Sequence, residues 1–151
     1  KIMGNIISHN DSSYTLEALK QGYLNILEWY SYRNDWDLLK EVYFSLSNIA
    51  LTGGKALDTL IYKVESEPNG EIPEDDNSKA GLFLQTLDLM NVENIPISTL
   101  TEILVFLRAI GTKDWEKAIE FWVENGLLKI IWNLLDSHRS ESIVTKTLEL
   151  L

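Results

Sequence analysis

The sequence predicts an all-α solenoid built from three-helix repeats, and three observations carry that reading. Apolar residues recur three and four apart along most of the chain, the spacing of one face of an α-helix. Strand-type alternation is nowhere sustained, and Pro68, Pro73 and Pro96 all fall between the periodic segments. Finally, the pattern repeats itself: Leu39, Val42, Leu46 and Ile49 return 61 residues later as Leu100, Ile103, Leu107 and Ile110.

After a stub at 1–8, the periodicity predicts helices near 12–21, 23–33, 36–51, 55–65, 80–91, 97–111, 114–124, 127–137 and 140–151. Asp35, Ser98 and Asp114 stand where a short polar side chain can accept from the free N–H groups of a first turn. Gly22 and Gly126 stand where a helix stops in a left-handed residue.

The internal ruler extends beyond the apolar stripe. Glu41 maps onto Glu102 by the same 61 residues, Asn5 lies 43 before Asn48, and Gly22 lies 104 before Gly126, the sum of the two shifts. The implied units run from about 11 to 51, 54 to 111 and 113 to 151. The middle unit is longer by 18 residues, which matches "ESEPNGEIPEDDNSK" at 65–79, with two prolines, one glycine and six acidic side chains. That composition reads as a solvated insertion, which closure entropy tolerates easily.

A chain of 151 residues suffices for one domain with a real core. Thirteen basic against 23 acidic side chains give a net charge of −10, a field that repels nucleic acid and attracts a basic partner. No apolar run approaches the roughly eighteen residues of a membrane span, so no membrane is expected. The start, "KIMGNIISHNDSS", lacks the order of a signal peptide and an initial methionine, and is read as the beginning of a fragment of a longer solenoid. With no cysteine there is no disulfide or thiolate chemistry, and cytoplasm and nucleus are the expected compartments.

No catalytic constellation emerges, so the chain is expected not to be an enzyme and to need neither metal nor cofactor. "LTGGKALD" is not a phosphate loop, because Ile49 stands at the leading glycine position and Ala56 where a magnesium-binding hydroxyl is needed. His9 and His138 have no ligand spacing. Trp29, Trp36, Trp115, Trp122 and Trp132 are read as packing between helices.

A three-helix period in the low forties is the armadillo signature, in which each unit buries its apolar face only by stacking into a right-handed superhelix. The sequence further resembles importin-α, the nuclear import adaptor, through "GNIISHND" near the start and "KEVYFSLSNIA" at 40–50. That resemblance implies that third helices line a concave groove, each offering an Asn and, one turn before it, an aromatic ring to an extended basic peptide. It implies Asn48 and Asn5 as backbone-binding amides, with Ser47, Ile7 and Ser8 beside them, and Phe44 as the ring. In the second unit the matching positions are Val105 and Ala109, where polar handle and ring are both replaced. The implied partners are a basic linear peptide or protein cargo, and other transport factors on further repeats.

The chemistry is sound independently of the resemblance. An Asn amide donates and accepts at once, so it can hold a peptide backbone whatever its side chains. An aromatic face attracts a cation within about 6 Å by roughly 0.5–2 kcal/mol. Glu41 and Glu102, seven residues before the Asn position, lie two turns along the same face, where they can pair with Lys or Arg. The alternative is an armadillo scaffold that holds a folded partner on another face.

Overall fold

The computed structural model describes residues 12–65, 82–113, 122–137 and 140–150. Within them lie α1 (Ser12–Lys20), α2 (Tyr23–Ser31), α3 (Trp36–Thr52), α4 (Gly54–Glu65), α5 (Leu82–Met90), α6 (Ile97–Lys113), α7 (Leu127–Asp136) and α8 (Glu141–Leu148). A further helical turn covers 122–124, and no strand occurs among the described residues. The all-α expectation is met, with boundaries moved by up to three residues; of the helix expected at 114–124 only the last turn falls among the described residues. The stub at 1–8 with Asn5, Ile7 and Ser8, almost all of the acidic insertion, Asp114, Trp115, His9 and His138 lie outside the described residues.

The helices stack in columns. The α3, α6 and α8 helices pack in series, α2, α5 and α7 form a second series beside them, and α1 packs on α4. This is the packing of a solenoid: each helix buries one stripe against the column before it and another against the column after it. Both helix ends of the first column are capped locally. The Asp35 carboxylate accepts from Leu38 N at 3.1 Å, and the Ser140 hydroxyl oxygen accepts from Ile143 N at 3.2 Å. Ser98 does not act as a cap. The α6 helix starts one residue earlier, directly after Pro96, whose carbonyl accepts from Leu100 N at 3.0 Å.

The core sits where α3 meets α5 and α6. Tyr43 is fully buried, its ring 5.7 Å from that of Phe106 at a tilt of 55°. Its hydroxyl lies 2.8 Å from Thr86 Oγ1, which donates to the Leu82 carbonyl at 2.7 Å. Since the threonine has one proton and spends it on Leu82, Tyr43 is the donor of the pair. Burial pushes the Tyr43 phenol far above its usual pKa, so it remains a neutral donor at any pH the protein meets. A second tie lies within the first column, with Thr99 Oγ1 of α6 donating to the Trp36 carbonyl of α3 at 3.2 Å.

Gly22 and Gly126 adopt nearly the same left-handed backbone, φ 82° and 83°, and each opens a helix of the second column. Nothing lies within 4 Å of a Cβ built on either, so only the backbone opposes a side chain there. Gly126→Ala and Gly22→Ala are therefore each expected to cost about 1 kcal/mol in chemical denaturation, with Gly126→Asn costing less. Gly111 is constrained differently: a Cβ there would come within 3.2 Å of the buried Trp122 ring, which would have to give by a few tenths of an ångström.

The tryptophans divide. Trp122 is buried and Trp36 packs against the core, as expected of interhelical residues. Trp29 is partly exposed beneath the Arg33 guanidinium, 3.9 Å from its centroid, and Trp132 stands out in solvent. For these two the expected packing between helices does not hold.

Candidate functional site

The first-column helices each turn one stripe outward. On α3 the stripe contains Glu41, Phe44 and Asn48, all half-buried, spaced three and four apart. On α6 it contains Thr101, Glu102 and Val105, half-buried, followed by exposed Arg108 and Thr112. The α3 and α6 helices pack along their length, so the two stripes lie side by side.

The electrostatics record that proximity. The Glu102 carboxyl is held above its ordinary range, chiefly because the α3–α6 interface partly desolvates it. The Lys40 ammonium opposes this shift and the Glu41 carboxylate adds to it. Two carboxylates from adjacent helices and one lysine thus share one solvent-facing patch. A cationic ligand group would relieve the repulsion between the acids and favour the ionised form of Glu102.

Other sequence-derived residues fall elsewhere. Ser47 is buried, and its hydroxyl donates to the Tyr43 carbonyl at 2.9 Å within its own helix, so it offers nothing outward. Ala109 is buried as well. Asn48 is half-buried near the end of α3, and its backbone carbonyl accepts from Thr52 Oγ1 at 2.9 Å. That threonine lies 3.4 Å from Thr15 Oγ1, tying the end of α3 to α1.

Sequence reasoning missed Arg108. One residue round from Ala109, it takes the outward position on α6, and its Nη1 donates to Glu149 Oε2 at 2.7 Å. Lys146 Nζ reaches the same oxygen at 3.1 Å. The acidic patch therefore gives way, toward α8, to two cations around one carboxylate. The available signal was the helical period itself, which places 101, 105, 108 and 112 on one stripe. Among the described residues no group of three or more His, Cys, Asp or Glu could hold a metal ion, and no helix is long and apolar enough to cross a membrane.

Columns of helices with one outward stripe per repeat define an all-α solenoid of the armadillo type. Solved structures of that architecture superpose on nearly the whole chain. A designed armadillo repeat protein in complex with the peptide (KR)4 matches with a TM-score of 0.74 at 19% identity, covering 98% of this chain and 53% of its own. A second designed armadillo repeat protein gives 0.73 at 17% identity, covering 98% and 53%. An engineered protein gives 0.75 at 19% identity, covering 99% and 52%. The chain thus spans about half the length of these structures. No protein-family model matches it, and neither does any curated protein.

Proposed function

We propose that this protein is a non-catalytic adaptor that holds extended Lys/Arg-rich segments against the outward stripe of α3 and α6. The reading rests on one observation above the others: Glu102, held above its ordinary range by partial burial, lies close enough to Glu41, 61 residues earlier in sequence, to feel its charge across the helix interface, on the stripe that carries Phe44 and Asn48. The fold supports it, since a designed armadillo repeat protein of like architecture is in complex with a peptide of alternating Lys and Arg. In this reading the chain comprises three units, at about 11–51, 54–111 and 113–151. The resemblance to importin-α makes nuclear-localisation-type cargo the ligand class, with cytoplasm and nucleus as the places of action.

The roles divide by chemistry. Asn48 engages the peptide backbone, Phe44 flanks the aliphatic stem and charge of a basic side chain, and the two glutamates supply countercharge. Titration with a short Lys/Arg peptide at low and high salt tests this. Affinity is expected to fall steeply with salt and about fivefold or more on Asn48→Ala, in line with the ~1 kcal/mol of a hydrogen-bonding group. It is also expected to fall as pH drops through the raised Glu102 value, because the peptide binds the carboxylate and binding expels the proton; Glu102→Gln removes that part of the pH dependence. Should no basic peptide bind, the stripe is vestigial and the partner sits on another face.

A further inference from the structure

We propose that the segment held along the first column is bipolar: basic where it crosses from α3 to α6, and acidic where it reaches α8. This rests on the peptide-binding reading above and fixes the charge order of the ligand along the column.

The geometry of α6 is the basis. Glu102, Val105 and Arg108 follow one another at intervals of three, and three residues turn a helix about 60° short of a full circle. Glu102 and Arg108 therefore stand on the two flanks of the outward stripe, about 120° apart, with Val105 midway between them. Each flank meets a different neighbour. Glu102 is turned toward α3, where the charges of Lys40 and Glu41 act on it. Arg108 is turned toward α8, where its Nη1 donates to Glu149 Oε2 at 2.7 Å and Lys146 Nζ donates to the same oxygen at 3.1 Å. The first seam thus gathers two acids and a base, and the second two bases and an acid.

The second seam is open to a ligand. The Arg108 side chain is 50% exposed, and those of Lys146 and Glu149 are each 32% exposed. Glu149 accepts one hydrogen bond from each cation, whereas a guanidinium offers five N–H donors and an ammonium three. The arrangement already holds one carboxylate and keeps a net positive charge for another. An Asp or Glu side chain of the ligand is drawn to it, and a Lys or Arg is repelled. Because α6 and α8 pack in series as α3 and α6 do, this seam lies along the side of the column, not on an end face.

The spacing follows from helix dimensions. From Glu102 to Arg108 the axis of α6 advances about 9 Å, and packed helices stand roughly 8–10 Å apart. The diagonal between seams is then about 13 Å, which an extended chain spans in about four residues. The ligand is a basic stretch with an acidic side chain about four residues from it.

Calorimetry at low salt tests this with peptides of equal length. One is uniformly basic; two others carry Glu at one end or the other, each with a Gln counterpart. The better Glu peptide is expected to bind two- to fivefold more tightly than its Gln counterpart, the range of an exposed ion pair. Arg108→Gln combined with Lys146→Gln should abolish that advantage. Glu149→Gln should enlarge it while weakening the uniformly basic peptide. If the uniformly basic peptide binds and neither Glu peptide gains over its Gln counterpart, the charge order is overturned and the adaptor reading stands. An advantage that survives loss of both cations also overturns it, because the acidic side chain is then held elsewhere. If no peptide of the set binds, both readings fall.

Discussion

Tyr43→Ala is expected to lower the unfolding free energy by about 3–5 kcal/mol, the largest stability effect of any single substitution considered. The ring is fully buried against Phe106, so truncation opens a cavity between α3 and α6 that flanking helices can only partly fill. The substitution also strips the donor from Thr86, whose own proton is committed to Leu82. Tyr43→Phe separates the two contributions: it keeps the packing and removes the hydrogen bond, and should cost about 1 kcal/mol. The informative control is Leu148→Ala, on α8. There the side chain is exposed, and the change should stay within about 0.5 kcal/mol. Denaturant titrations of the three variants check this, and equal losses at Tyr43 and Leu148 would contradict the burial of the one and the exposure of the other.

Reversing the charge at Glu102 should have the largest effect on binding. Glu102→Lys replaces a countercharge with a cation in a partly desolvated patch that also holds Lys40. The affinity for a Lys/Arg peptide is expected to fall at least tenfold, about 1.4 kcal/mol, measured by calorimetry at low salt. Arg108→Ala should act in the opposite direction. It removes the outward cation of α6 and releases Glu149 from one of its two partners, so a uniformly basic peptide should bind more tightly. Because that ion pair is largely solvent-exposed, its loss should shift stability by no more than ~0.5 kcal/mol. Basic-peptide affinity unaffected by both substitutions would place the ligand away from the α3–α6 stripe.

Much of the architecture was legible from local chemistry. The apolar stripe of 39, 42, 46 and 49 and its copy at 100, 103, 107 and 110 located α3 and α6, and the left-handed glycines at 22 and 126 were readable because few other residues tolerate that backbone. Ser98 was misread as a cap because Ile97 is itself compatible with a first turn, and the Pro96 carbonyl already accepts the first helical hydrogen bond, from Leu100 N. The candidate site was legible only in part. Glu41, Phe44 and Asn48 share a stripe by spacing alone, yet Ser47 and Ala109, one residue away from outward positions, proved to face inward.

By itself, then, the sequence determined which segments coil, where they break, and that the pattern returns after 61 residues, because these depend on interactions within a few residues of one another. Only the tertiary structure decided which side of each helix meets another. It joined Glu102 to Lys40 and Glu41, turned Arg108 outward in place of Ala109, and left Trp132 in solvent while burying Glu28, 104 residues before it. Those outcomes depend on which neighbouring column is present to exclude water, a long-range fact that no local spacing encodes.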